Sequence, residues 1–127
     1  MIFTTFYTPE YKEKKERLEA SLNKLNIPLR AIQYEKREDL HLSVTTAGLR
    51  TGITKGKVVW EAWKATGEPV LLLDSDMVVN KDPSSYLNHV DFALFNWIGF
   101  TPFNNKLICT GSAQYWNLNN ASVRKLL

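Results

Sequence analysis

Two carboxylates stand one residue apart at the end of the most apolar segment of the chain, PVLLLDSDMVVNKDP (69–83). Four apolar residues lead directly into Asp74, and Asp76 follows after Ser75. In an extended chain, side chains two apart point to the same side, so the two carboxylates are predicted to converge. Two like charges at such a short distance repel each other, which is costly unless a cation or hydrogen bonds compensate for the repulsion. Carboxylate oxygens favour Mg²⁺ or Mn²⁺, which take further ligands from water and substrate phosphates.

The alternative for these acids is a surface pair that caps turns or pairs with lysines. The Asp-x-Asp spacing alone does not decide between the two interpretations. A surface pair does not usually follow four consecutive apolar residues, because such a run is typical of a strand buried on both faces. The setting therefore favours the metal site.

Two lysines upstream indicate an anion. The periodicity predicts a helix that begins at Thr54 and stops at Gly67, with Lys55 and Lys57 in its first turn. Cations there are disfavoured by roughly 0.3–1 kcal/mol each, whereas anions are attracted. A bound phosphate would explain both lysines, with Gly56 allowing close backbone approach. Two solvated lysines are the alternative, but beside a metal-binding acid pair the lysines predict a diphosphate.

The elements around these residues alternate between strand and helix. Strands are predicted at IFTTFY (2–7), PLRAIQYE (28–35), VLLLD (70–74) and DFALFNW (91–97), with two more candidates at KLICT (106–110) and AQYWNL (113–118). Helices are predicted over 9–26, with Thr8 as cap and Leu18, Leu22 and Leu25 on one stripe, and from about Asn120. Residues 37–53 predict a loop with one helical turn. The order indicates an α/β domain with a mainly parallel sheet, whose ligands gather at the carboxyl ends of the strands.

Composition predicts one soluble domain over residues 1–127. Apolar residues make up 44% and charged residues 23%, and the net charge of +3 is too small to argue for nucleic acid. The single cysteine, Cys109, fits a reducing compartment. There is no signal-like start and no apolar run near the ~20 residues of a membrane span. We expect a cytoplasmic protein with no membrane span and no nucleic-acid partner.

The segments ITKGKVVWEAWKATGEPVLLLDSDMVVNKDP and NKLICTGSAQYWNLNNASVRKLL together resemble nucleotide-sugar-dependent glycosyltransferases of the GT-A fold, most broadly those of family 8. That family has a lysine before a helix, an apolar strand running into Asp-x-Asp, a short return to Asp-Pro, and a later glycine-containing segment. The resemblance covers most of the chain and implies a minimal, Rossmann-like GT-A fold. It implies a nucleotide- and metal-binding part over about 1–95 and the start of an acceptor-side part over about 96–127.

The resemblance also implies roles for individual residues. Asp74 and Asp76 would hold Mn²⁺ or Mg²⁺ on the donor diphosphate, with Asp76 the main ligand. Lys55 would contact the phosphate or donor, with Lys57 a second candidate. The residues placed at the donor are Thr5, Phe6 and Tyr7 for the nucleobase, Ser75 within the acid motif, and Gly111, Ser112, Ala113 and Gln114 for the sugar. The implied activity moves a hexose, from UDP-glucose or UDP-galactose, to an unknown acceptor.

The chemistry implied is transfer through an oxocarbenium-like state as the nucleoside diphosphate leaves. An inverting enzyme needs a carboxylate base near the acceptor, yet no Asp or Glu follows Asp91 in the sequence. Either Asp91 is that base, or a base is missing, or configuration is retained. Retention is the expectation, with slow donor hydrolysis as a side reaction. Gln114 is a candidate for the reacting face of the sugar, and a glutamine that lines the core from a strand is the alternative.

Some residues depart from the family pattern. Neither His41 nor His89 occupies the position of the family's later metal-binding histidine, and both are expected at the surface or its boundary. Most tryptophans are expected to pack in or near the core, whereas Trp97 is a candidate for stacking on a sugar ring.

Three other functions share features with this sequence. A non-catalytic nucleotide-sugar-binding module would keep the donor site and lack the acceptor half. A phosphotransferase of the haloacid-dehalogenase type also carries Asp-x-Asp after an apolar strand, but it needs a later lysine and a further acidic pair, and the acid-free stretch after Asp91 leaves no place for that pair. A dehydrogenase is weaker still, because no G-x-G-x-x-G follows the first strand.

Overall fold

A computed structural model describes residues 1–35, 47–96 and 109–127. The strands within these ranges are β1 (Ile2–Tyr7), β2 (Leu29–Gln33), β3 (Val70–Leu73), β4 (Phe92–Asn96) and β5 (Cys109–Trp116). The α-helices are α1 (Lys12–Asn23), α2 (Ala47–Thr66), α3 (Ser84–Leu87) and α4 (Ala121–Arg124), and a short 3₁₀ helix (Pro9–Tyr11) precedes α1. None of the helices in these ranges is long and apolar enough to cross a membrane.

The five strands form one sheet in the order β2-β1-β3-β5-β4. β1 is parallel to both β2 and β3, whereas β5 is antiparallel to both β3 and β4. Only β5 therefore runs against the other four. This confirms the predicted α/β fold with a mainly parallel sheet. It also brings the start of β5 to the edge where β1, β2 and β3 end.

Both faces of the sheet are covered by apolar side chains. The sequence of β3 explains why four apolar residues follow one another: Val70 and Leu72 pack toward α2, and Leu71 and Leu73 pack toward α1. A strand buried on both faces needs no polar alternation. The α2 side also holds Val58, Val59, Ala62, Trp116, Leu118 and Val123, and the α1 side holds Phe3, Leu18, Leu22, Ile27 and Tyr115.

The start of α2 differs from the prediction. The helix begins at Ala47 rather than Thr54, so the prediction of a loop is wrong for residues 47–53. Residues 37–46 of the predicted loop lie outside the described residues. Glycines at 48 and 52 explain the error, because each lowers intrinsic helix propensity by about 1 kcal/mol relative to alanine. Packing of α2 against β1 and β3 overrides that penalty.

Two smaller predictions are corrected as well. The two candidate strands after residue 105 are, in the part described, one strand, β5, which continues through Gly111 and Ser112. Pro9 occupies the first helical turn as predicted, but the side chain of Thr8 makes no capping hydrogen bond. The predicted start of the last helix is confirmed, since α4 begins at Ala121, and the side chain of Asn120 caps it by accepting a hydrogen bond from the Ser122 amide.

Candidate functional site

An ion pair joins α2 to the end of β3. Lys55 lies one turn before Val58 and Val59 on the buried side of α2, and only 8% of the residue is exposed. Its Nζ lies 2.6 Å from Oδ1 of Asp74, the residue that directly follows β3. Alternation along β3 explains the contact, because Asp74 follows Leu72 onto the face of the sheet that α2 covers.

Asp74 is also held by the neighbouring strand. Its backbone N–H donates to the carbonyl of Ser112 over 2.8 Å, which extends the β3–β5 pairing one residue beyond β3. Partial burial raises the pKa of the Asp74 carboxyl above its ordinary value, and the nearby Asp76 adds to that rise. Hydrogen bonding and charge from Lys55, with a hydrogen bond from the Ser112 side chain, oppose it. Three residues predicted as site residues therefore meet here.

Asp76 is presented differently from Asp74. Ser75 and Asp76 lie in a turn in which the Met77 N–H donates to the carbonyl of Asp74 over 3.1 Å. The prediction that Asp74 and Asp76 lie in an extended segment is therefore wrong, although the two carboxylates are close enough to interact electrostatically. Asp76 is exposed, whereas Ser75 is buried. One carboxylate is thus engaged by protein groups and the other is open to solvent.

The segment after the turn is tied to α1 through a serine that the sequence interpretation missed. Ser21 Oγ accepts from the Val79 N–H over 3.0 Å and donates to the Leu18 carbonyl over 2.7 Å. Met77 and Val79 pack on the α1 side of the core. The available signal was the place of this serine on the apolar stripe of α1, between Leu18 and Leu22.

The end of β1 brings three predicted site residues to the same edge. Thr5 is fully buried, and its Oγ1 has no hydrogen-bond partner among the described residues. Tyr7 Oη donates to Gln33 Oε1 over 3.1 Å, and Lys15 lies over its ring. The register pairs Thr4 with Leu72, and continued two residues it puts Phe6 level with Asp74. Of the three, Phe6 is nearest in register to the ion pair.

The start of β5 carries an irregularity beside the site. Leu94 of β4 pairs with Gln114, but the next residue, Phe95, pairs with Thr110, so residues 111–113 have no partner in β4. On the other side, Ala113 pairs with Leu73. Bulges of this kind are common next to active sites, where they redirect side chains. Gln114 lies opposite Leu72, and its Oε1 accepts a hydrogen bond from Trp116 Nε1.

Lys57 and Gly56 do not have the setting that the sequence predicted. Both lie inside α2 rather than in its first turn, so the argument from a helix N-terminus is wrong for Lys55 as well. Lys57 is exposed, and its Nζ lies 3.9 Å from Glu61. Lys55 reaches the site through its position on the buried side of the helix instead.

Of the remaining candidate residues, some lie at the far edge of the sheet and the others lie outside the described residues. Asp91 precedes β4 and accepts hydrogen bonds from the side chains of Asn117 and Asn120. With exposed His89, it lines a cavity beside Met1 and Pro69, at the edge opposite Asp74. The suggestion that Asp91 serves as the base at the site is therefore wrong. His41 and Trp97 lie outside the described residues.

The acid pair suits a divalent cation that takes most ligands from elsewhere. Within the described ranges, no three His, Cys, Asp or Glu residues cluster in a way that could hold a metal. Asp76 offers an open carboxylate, and Asp74 offers a second one beside it. Mg²⁺ is commonly bound through one or two carboxylates plus substrate phosphates, so the two acids fit that mode of binding.

Comparison with known proteins gives a likeness of structure. No protein-family model matches the chain, and no curated protein sequence matches it. The structure is similar to the crystal structure of a glycosyltransferase involved in the glycosylation of the major capsid of PBCV-1, with a TM-score of 0.63 and 15% sequence identity. The match covers 99% of this chain and 65% of that chain. The chain therefore has a glycosyltransferase-like fold and spans less than two thirds of the length of that protein.

Proposed function

We propose that this chain is a metal-dependent glycosyltransferase that moves a hexose from a nucleotide-diphosphate sugar to an acceptor. The observation that carries the proposal is the grouping of Lys55, Asp74 and Asp76 at the carboxyl end of the most buried strand. Open α/β sheets bind ligands at that edge. The shared fold with a glycosyltransferase supports the same assignment. UDP-glucose or UDP-galactose is the proposed donor, and membership of family 8 stays a prediction.

Asp76 and Asp74 are the residues that would hold Mn²⁺ or Mg²⁺. When bound, the metal supplies Lewis-acid stabilisation of the negative charge on the leaving diphosphate. Lys55 contributes a positive charge at a fixed place beside the same acids, since it is anchored in the buried face of α2. A charge held in place in a partly dry site stabilises a developing negative charge more than a solvated one does.

In the proposed reaction, the acceptor hydroxyl oxygen bonds to the anomeric carbon, and the bond from that carbon to the diphosphate oxygen breaks. The hydroxyl proton goes to the leaving diphosphate. This route needs no carboxylate base, and it agrees with the position of Asp91 at the other edge of the sheet. Retention of configuration is therefore proposed. Gly111, Ser112, Ala113 and Gln114 are proposed to line the sugar pocket. Phe6 and Tyr7 are proposed to line the nucleobase pocket, with the fully buried Thr5, which precedes them in β1, behind its wall.

The second candidate is a nucleotide-sugar-binding module without transferase activity. It uses the same donor site, and it agrees with the position of Asp91 at the other edge of the sheet, away from Asp74. Release of free UDP from UDP-glucose separates the two candidates. A transferase releases UDP, at least slowly with water as acceptor, whereas a binding module leaves the donor intact.

The experiment is calorimetric titration with UDP and UDP-glucose, in Mn²⁺ and again in chelator, on wild type and Asp76→Ala. We expect metal-dependent binding that falls at least tenfold in the variant. Asp82→Ala is the matched control, because Asp82 is an exposed acid in the following turn and lies outside the site. Failure of wild type to bind either nucleotide would refute the proposed donor site.

A further inference from the structure

A groove lies between α2 and the C-terminal part of the chain, on the same face of the sheet as Asp74. Its volume is about 660 Å³, within the range of roughly 300–1,000 Å³ typical of small-molecule sites. The walls come from three parts of the fold. The residues lining it are Gly56, Lys57 and Trp60 of α2, Gln114 and Trp116 of β5, and Arg124, Leu126 and Leu127.

The groove exposes aromatic surface. Trp60 is 41% exposed although it is among the largest apolar side chains of the protein. Its ring contacts that of Trp63, with ring centroids 5.1 Å apart and the two planes inclined by 52°. Trp116 adds a mostly buried ring. A partly exposed indole offers apolar ring surface to a ligand in the groove.

Polar groups surround that aromatic surface. The amide of Gln114 and the exposed ammonium of Lys57 line the groove. Arg124 is fixed in place, because its Nη1 donates to the Leu118 carbonyl over 2.6 Å and its guanidinium lies over the Trp63 ring. None of the described residues that line the groove is an acid. Such walls combine a stacking surface with hydrogen-bonding groups for hydroxyls.

The groove adjoins the Lys55–Asp74 pair at two points. Gly56 is the neighbour of Lys55 in α2, and Gln114 lies two residues along β5 from Ser112, which bonds Asp74. Residues two apart in a strand face the same side of a sheet. From this continuity and from the chemistry of the walls, we infer that the groove binds the acceptor as a saccharide, with a sugar ring stacked on Trp60. The inference rests on the proposed function for its acceptor role.

A saccharide fits these walls better than the alternatives of similar size. Its ring carbons give an apolar face for an indole, and its hydroxyls match amide and ammonium donors. A purely apolar ligand would not match the exposed ammonium of Lys57. A phosphate-rich ligand would find one exposed lysine there, since Arg124 is bound to backbone carbonyls.

The test uses the whole chain and does not require the acceptor to be known. Wild type is screened on an array of mono- to tetrasaccharides of common hexoses and N-acetylhexosamines, and the best binder is titrated by calorimetry. We expect saturable binding that weakens at least tenfold in Trp60→Ala and is largely restored in Trp60→Phe. Tyr86→Ala is the control, because Tyr86 is a 77% exposed aromatic outside the groove and should bind as wild type does.

The outcomes separate this inference from the proposed donor site. UDP binding should be the same in wild type and Trp60→Ala, and thermal unfolding shows whether each variant is folded. Two results would overturn the groove as a saccharide site. The first is a wild-type protein that binds UDP but no saccharide on the array, and the second is a folded Trp60→Ala variant that binds the saccharide as tightly as wild type does. A shift of oligomeric state in Trp60→Ala would instead make the groove a contact between copies and overturn it too. Saccharide binding without UDP binding would refute the donor site and the acceptor role, and leave a saccharide site.

Discussion

The ammonium of Lys55 lies 2.6 Å from the carboxylate of Asp74, so the positive charge of a buried helix face meets the first residue beyond a buried strand. Together with Asp76, these groups carry one positive and two negative charges. The repulsion expected between two adjacent acids is thus partly compensated by protein groups. A metal is not required to explain how the fold tolerates the acid pair. The argument for a cation rests on the open carboxylate of Asp76.

Replacing Lys55 by methionine should cost both stability and donor binding. An exposed ion pair contributes about 0–1 kcal/mol to stability, and breaking a buried pair costs roughly 3–5 kcal/mol. Loss of this partly buried pair should therefore lower the free energy of unfolding by about 2 kcal/mol. UDP affinity in Mn²⁺ should fall at least tenfold. Urea unfolding and calorimetry measure the two effects.

Lys57→Met is the matched control, because Lys57 lies on the same helix but is exposed and 3.9 Å from its partner Glu61. Its stability should stay within about 0.5 kcal/mol of wild type. Equal losses in both variants would mean that the Lys55–Asp74 contact contributes nothing specific.

The raised pKa of Asp74 predicts a pH dependence of stability. Between the ordinary value of 3.8 and the raised value, the folded chain holds the proton that the unfolded chain has released. The stability that Asp74 contributes is therefore full below 3.8 and lost as pH rises through the raised pKa. The difference in unfolding free energy between wild type and Asp74→Asn should fall over that window and level off above it.

Asp82 gives the control of opposite sign. Hydrogen bonds from the side chain and backbone of Ser84 lower the pKa of Asp82 below 3.8. Its contribution is present above 3.8 and is lost as pH falls through the lowered pKa. Asp82→Asn should therefore change the pH profile only below about 4. A wild-type minus Asp74→Asn difference that is flat from pH 3 to 7 would contradict the raised pKa.

Much of the fold could be predicted because the apolar patterns are strong. The run VLLL and the leucine stripe of α1 each admit one buried arrangement, and strand–helix alternation then fixes a mainly parallel sheet. The start of α2 could not be predicted, since Gly48 and Gly52 lower the helix propensity of a segment whose helix is stabilised by packing with the sheet. Local helix propensity does not include the stabilisation that comes from that packing.

The site could be predicted in its residues but not in its geometry. Asp74, Asp76 and Lys55 were identified from types and spacing, yet Lys55 was placed at a helix end rather than on a buried helix face. The turn at Ser75 and the pairing offset in β5 depend on contacts between segments distant in sequence. Ser21 was missed for the same reason, because its partner Val79 lies 58 residues away.

Replacing Ser21 by alanine should loosen the segment that follows the acid pair. The change removes the acceptor of the Val79 N–H, and a partly buried donor left without a partner costs roughly 1–3 kcal/mol. We expect a loss of that size in the free energy of unfolding and faster amide exchange at Val79. Ser85→Ala is the control, because Ser85 is exposed. Unchanged exchange at Val79 would show that this bond does not hold the segment.

Replacement by alanine should change stability in opposite directions at two glycines, one inside α2 and one directly after its end. Gly67 has φ +70° at the end of the helix, and its N–H donates to the Trp63 carbonyl over 2.7 Å. An added Cβ would meet no atom within 4 Å there, so the expected loss of about 1 kcal/mol is purely conformational.

Gly56 lies in the interior of α2, where an added Cβ would meet only Leu127 Cδ1 at 3.8 Å, an ordinary contact. Gly56→Ala should therefore stabilise the chain by roughly 0.5–1 kcal/mol, because alanine loses less backbone freedom in a helix. Thermal and urea unfolding of both variants measure the pair. Loss of stability in Gly56→Ala would show that the helix does not have regular geometry at this position, and a stable Gly67→Ala would contradict the left-handed conformation that ends α2.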